Sequence, residues 1–139
     1  MKIYAWVENG HLFTSEDESL APSDAIEFDV ESPDDVVYDG TQIRLKTQDE
    51  KLQELKAQKL SELKTYVESL LAPTDYIVTK IAEAQIQNDT AKVEALKQKY
   101  SVQLQQREAI RQWNEQTKQA IKNAQSLDDL NSIVIQFEG

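Results

Sequence analysis

RLKTQDEKLQELKAQKLSELKTYVESLLAP, residues 44–73, is the stretch on which the reading of the fold depends. Up to Lys46 the chain consists of short β-prone runs separated by turn residues. From Gln48 it is rich in Leu, Lys, Glu and Gln and meets no Gly or Pro until Pro73. That composition predicts a helix of about seven turns, at 3.6 residues per turn. Leu52, Leu55, Leu60, Leu63, Val67 and Leu70, mostly three or four apart, form one apolar stripe, and such a stripe requires a partner. Pro73 ends the helix, because the residue before a proline is disfavoured in the helical region. Thr47 therefore divides the chain. The expected fold class is α+β: a small acidic β module over residues 1–46, then an α-helical region over 47–139 built as a hairpin.

Toward the N-terminus, Lys2 to Thr14 pairs two β-prone runs around Asn9-Gly10. Asn-Gly tolerates the positive φ angles of a two-residue type I′ hairpin turn. Alternation places Ile3, Ala5 and Val7 on one face and Tyr4 and Trp6 on the other. Ala25 to Val30 alternates like a half-buried strand, Ser32-Pro33-Asp34-Asp35 turns the chain, and Val36 to Leu45 resembles a second hairpin with a tight Asp39-Gly40 turn.

Toward the C-terminus, the side chain of Thr74 or Asp75 is expected to cap a second helix whose buried face carries Ile77, Val78, Ile81 and Ala84 or Gln85. Asn88 or Asp89 then caps a third helix, predicted as one run from about Thr90 to Asn123, roughly 50 Å long at 1.5 Å per residue. A strict heptad lies on it: Val93, Leu96, Tyr100, Gln103, Arg107, Ile110, Asn114, Thr117, Ile121 and Ala124. Polar residues in such a seam can fix register or oligomer state. A self-associating coiled coil and an amphipathic helix packed on the first helix of the same chain are the two readings. Ser126-Leu127-Asp128-Asp129 resembles a capping box opening a short final helix. Ile133 to Phe137 reads equally as its continuation or as a strand.

The chemistry on offer is limited. With 139 residues, 40% of them hydrophobic and 29% charged, the chain lies in the globular range and away from the disordered class. It has no cysteine and one histidine, His11, beside the first turn. Disulfides and thiolate chemistry are thereby excluded, and few groups are left that titrate near neutral pH. Neither Glu16-Asp17-Glu18 nor Asp34-Asp35 has the ligand spacing of a calcium loop, and only three glycines are present, too few for a phosphate-cradling loop. No catalytic, cofactor or metal site is expected. The apolar opening run is broken by Glu8 and nothing later approaches the roughly 18 apolar residues of a membrane span, so a cytoplasmic location is expected. Net charge is −10; residues 1–46 hold eleven acidic side chains against Lys2, Arg44 and Lys46, which is −8. A surface of that sign repels phosphate backbones, so direct nucleic-acid binding is not expected. The expected function is association with another protein.

Leu71-Ala72-Pro73-Thr74-Asp75-Tyr76 and its continuation to Ala84 resemble a segment of bacteriophage tail and tail-fibre assembly chaperones. There a Thr-Asp-aromatic helix start with a later Glu precedes a helix bearing Tyr, then Arg-x-x-x-Arg. Tyr100, Arg107 and Arg111 stand here in matching order. Ser126 to Leu130 resembles that family's closing capped turn, and Met1 to Ala5 with Glu8-Asn9-Gly10 is similar to the β openings of tail accessory proteins. The segment from Glu83 to Tyr100 is longer and more charged than in that pattern. The resemblance implies a chaperone that binds and caps a fibre protein during folding or trimerisation, working in the bacterial host cytoplasm. A structural tail or baseplate component with a coiled-coil helix, and an acidic DNA-mimicking inhibitor, are the alternatives. The candidate partner-binding residues are Tyr4, Trp6, Arg107, Arg111 and Trp113. Tyr and Trp are common binding anchors, though core packing onto the helices is the favoured reading of Tyr4 and Trp6, and Arg111 to Glu115 reads as an i,i+4 surface pair.

Overall fold

The computed structural model describes residues 1–139 and has the α+β character the composition predicts. The chain forms two compact units, Met1–Lys51 and Leu52–Gly139.

In the first unit, β1 (Lys2–Glu8) lies between β2 (His11–Ser15) and β3 (Ile26–Asp29) in an antiparallel sheet. Glu8 faces His11 across the two-residue Asn9-Gly10 turn, whose φ angles are +52° and +78°. Both lie in the left-handed region that a type I′ turn needs. Ile3 and Ala5 are buried with Val30 and Val36, against half-buried Leu12, Phe28 and Ile43. The N-terminal ammonium closes the sheet end, donating to Val30 O at 2.8 Å and Asp29 Oδ1 at 3.3 Å.

β4 (Val36–Tyr38) and β5 (Ile43–Leu45) form the second hairpin. Its loop differs from the tight Asp39-Gly40 turn expected. Tyr38 pairs with Ile43, so residues 39–42 make the connection. The Asp39 carboxylate accepts the N–H groups of Gln42 and Thr41, both at 2.9 Å, and the Arg44 Nε–H at 3.1 Å. These bonds hold its carboxyl below the usual carboxylate range and give Asp39 the role of turn cap, with Gly40 at φ +90° beside it.

Helix α1 (Gln48–Leu71) starts inside the first unit, which extends past residue 46 for a visible reason. Thr47 Oγ1 accepts the Glu50 N–H at 3.1 Å and Glu50 Oε1 accepts the Thr47 N–H at 3.0 Å, a reciprocal capping box. Arg44 donates to the same Glu50 at 2.6 Å, and Lys51 reaches Asp35 at 3.8 Å. The first helical turn is thus tied to the hairpin before it.

The second unit is an antiparallel helical hairpin. Its first arm is α1, then a 3₁₀ turn at Ala72–Thr74, then α2 (Asp75–Ile86). The chain reverses at residues 87–89, with Asn88 left-handed at φ +56°, and returns as α3 (Thr90–Lys99) and α4 (Ser101–Asn123). Asp89 caps α3 through the Lys92 N–H. Facing pairs fix the register: Lys56 with Lys122, Tyr66 with Trp113, Leu71 with Arg107, and Tyr76 with Tyr100. Each advance along one arm is matched by a step back along the other.

Every member of the predicted heptad is buried or half-buried, and the first arm carries its own 3–4 stripe through Pro73: Leu60, Leu63, Val67, Leu70, Thr74, Ile77, Ile81 and Ala84. The two stripes face each other within one chain, with Leu63, Val67, Ile110, Ile121 and Ala124 in a common core. The third helix is not the continuous run expected. It is interrupted at Tyr100 (φ −108°, ψ 24°), although the Tyr100 N–H still reaches Leu96 O at 3.0 Å. No Gly or Pro marks this break; it stands opposite the first turn of α2, where the Tyr100 ring meets Tyr76 edge-on.

The Ser126 hydroxyl accepts the Asp129 N–H at 3.0 Å and Asp129 accepts the Gln125 N–H at 3.1 Å, opening α5 (Leu127–Asn131). Residues 133–139 then form neither a helix nor a paired strand. Ile133, Ile135 and Phe137 pack on the hairpin core while Val134 points away.

Candidate partner-binding site

The five candidate residues occupy three different settings. Tyr4 and Trp6 lie half-buried on the face of β1 opposite Ile3 and Ala5. Trp6 is paired across the sheet with Phe13, their rings stacked at 6.0 Å and 18°. Desolvation, followed by the carboxylates of Glu18 and Glu27, pushes the Tyr4 phenol above its ordinary pKa. These rings form a small aromatic strip bordered by acids.

Arg107 sits at the waist of the hairpin and is only 5% exposed. The Asp75 N–H closes a 3₁₀ bond to Ala72 O in place of an α-helical one to Leu71 O, which leaves Leu71 O open to a side-chain donor. Arg107 Nη1 supplies one at 2.8 Å, and also reaches Thr74 Oγ1 at 2.8 Å and Asp75 Oδ1 at 3.0 Å. Thr74 is therefore not the side-chain cap expected for α2. Its hydroxyl donates to Leu71 O at 3.2 Å, which completes the waist. The Arg107 Nε–H is buried without a partner.

Arg111 is exposed and pairs with Glu108 at 3.9 Å; the expected partner, Glu115, pairs with Lys118 at 3.3 Å. Trp113 is half-buried, edge-on to Tyr66 at 5.7 Å and tilted against Phe137 at 5.7 Å. The Tyr66 hydroxyl accepts the Phe137 N–H at 3.1 Å, and Lys59 Nζ donates to Ile133 O at 3.2 Å. Together these contacts lock the C-terminal tail onto one flank of the α1–α4 pair.

The opposite flank holds a groove that none of the five residues lines. Leu60, Leu63, Lys64, Val67 and Glu68 of α1 and Asn114, Lys118 and Lys122 of α4 enclose about 360 Å³. At 100° per residue, Lys64 and Tyr66 point roughly 160° apart on α1, so the tail and the groove occupy different sides of the seam. The signal in the sequence is the i, i+4, i+8 spacing of Asn114, Lys118 and Lys122 beside the heptad stripe. It becomes readable only once α1 is known to lie alongside.

Beyond the waist, between α2 and α3, Lys80 Nζ stands 5.5 Å from the Tyr76 ring centre and 5.9 Å from that of Tyr100, with Lys99 5.2 Å from the latter. Burial opposes ionisation of the Tyr100 phenol, but the ammonium groups of Lys99 and Lys80 together bring its pKa below the ordinary tyrosine value. No cluster of three or more His, Cys, Asp or Glu side chains is arranged to hold a metal ion. No helix is long and apolar enough to cross a membrane. Comparison with models of protein families, curated proteins and solved structures finds no match.

Proposed function

We propose that this chain works by holding another protein, as an assembly chaperone of the tail-fibre kind that its sequence resembles. The observation that carries the reading is the asymmetry of the α1–α4 hairpin: one flank is sealed by the chain's own tail, the other left as an apolar groove. An unassembled fibre exposes apolar surface and unpaired strand edges, and a partner that covers them until trimerisation limits aggregation. A rigid hairpin braced at its waist by Arg107 suits that task, since pre-organisation lowers the ordering cost of binding.

A structural tail component assembled through a heptad coil is less well supported, because both heptad stripes already face each other within the chain. The acidic-decoy reading draws on the first unit, where Arg44 is held between Asp39 and Glu50. The test is size-exclusion chromatography with light scattering, on the chain alone and mixed with a tail-fibre protein of the same genome, at low and high salt. The chaperone reading expects a complex that persists at high salt. A chain that ignores the fibre protein overturns it, and a complex with a nucleic-acid-binding protein that dissolves at high salt favours the decoy.

A further inference from the structure

We infer that the groove between α1 and α4 receives an acidic amphipathic helix of the partner protein, so that the partner completes a three-helix arrangement. The inference deepens the chaperone reading and rests on it for the partner's identity, but not for the chemistry of the groove.

The walls dictate the form of the occupant. Both are helices whose backbone groups bond internally, so the groove offers no row of free N–H and C=O groups to an extended chain. An incoming segment must satisfy its own backbone, and a helix does so. The length agrees: the wall from Leu60 to Glu68 and that from Asn114 to Lys122 each rise about 12 Å, and apolar anchors at i, i+3, i+4 and i+7 span about 10.5 Å.

Charge then selects the kind of helix. The floor is apolar, from Leu60, Leu63 and Val67, while the rim carries Lys64, Lys118 and Lys122 against Glu68 alone. Lys118 already pairs with Glu115. Lys64 and Lys122 are exposed, and neither ammonium has an ion-pair partner in the chain. A basic rim in a protein of net charge −10 is a local inversion. It matches a helix whose apolar stripe is flanked by Glu or Asp, and it disfavours a basic one, since complementary charge steers encounter and rejects wrong partners.

The test uses two labelled synthetic peptides of about five helical turns, both with leucines at the i, i+3, i+4 and i+7 positions, one flanked by glutamates and the other by lysines. Fluorescence anisotropy against the full chain is expected to show the acidic peptide binding about ten-fold more tightly at low salt, which is about 1.4 kcal/mol. The double variant Lys64→Glu/Lys122→Glu is expected to reverse the preference, and Lys64→Gln/Lys122→Gln to abolish it. Unchanged far-UV circular dichroism confirms that both variants fold. Equal binding of the two peptides, or a preference that survives charge reversal, overturns the inference. So does a dimer of the wild-type chain that the charge reversal disperses, because the occupant is then a second copy. If the wild-type chain holds a fibre protein and the reversed variant holds it as tightly, the groove inference fails while the chaperone reading stands. If the acidic peptide binds in the groove but no fibre protein does, the chaperone reading fails and the groove inference stands.

Discussion

Replacing Arg107 separates the two ways in which a buried arginine can hold a structure. Arg107→Met keeps most of the stem but removes the donors to Leu71 O and Thr74 Oγ1, a loss of about 2 kcal/mol at about 1 kcal/mol per bond. The Asp75 ion pair adds less than about 0.5 kcal/mol, since that carboxylate is 63% exposed and screened by solvent. Against these, the variant no longer buries the unpartnered Nε–H, a relief of about 1 kcal/mol. The net expectation is about 1–2 kcal/mol of destabilisation. Arg107→Ala also gives up buried methylenes and leaves a void, a further loss of about 2 kcal/mol, for a total of about 3–4 kcal/mol. Urea unfolding followed by circular dichroism at 222 nm, where the helical signal dominates, reads both values. Buried ionic groups can be replaced by apolar ones at no cost in stability, so the result is informative in either direction. An Arg107→Met variant as stable as the wild type would refute the argument that the guanidinium braces the waist.

Other perturbations test individual elements. Thr47→Ala removes the capping hydroxyl of α1 and is expected to destabilise by about 1 kcal/mol, measured by the same unfolding experiment. The hydrogen bond from Arg44, then that from the Thr47 N–H, lower the Glu50 pKa from 4.5 to about 2. Its contribution to stability is therefore present above pH 4.5 and is lost as pH falls toward 2; a carboxyl titration by NMR with a midpoint near 4.5 contradicts the bonding described. Gly10→Ala places a Cβ on a residue with φ +78° in open space, so the cost is backbone conformation alone, about 1 kcal/mol, read from the thermal midpoint. Tyr66→Phe removes the acceptor of the Phe137 N–H and should speed amide exchange at that residue while leaving the exchange of α2 and α3 unchanged.

Local chemistry explains what could be read in advance. Asn9-Gly10 predicts its turn because few other pairs accept two positive φ angles, and Asp89 and Ser126 predict their helix starts because a short oxygen-bearing side chain is what an unpaired N–H there needs. Thr47-x-x-Glu50 carries a similar signal and was available to the same reasoning. The heptad on the second arm marked the buried face correctly, since burial follows periodicity. Which helix fills that face is a tertiary fact, and the matching stripe on the first arm is hidden by Pro73, which reads as a stop although the stripe continues through it. The break at Tyr100 has no Gly or Pro to announce it and lies opposite the first turn of α2. Trp113 and Arg107 looked like binding anchors because residue type alone does not distinguish an exposed ring or guanidinium from one enclosed by Phe137 or Leu71. The groove was invisible for a related reason: its walls lie about fifty residues apart in sequence and meet only through the antiparallel register.

Co-expression tests the central claim most directly. A tail-fibre protein of the same genome is produced with and without this chain, and the soluble trimeric fraction is measured by light scattering. The account predicts that soluble trimer increases several-fold only when the chain is present. A trimer yield that is the same in both cases, with the chain itself folded and abundant, would contradict it.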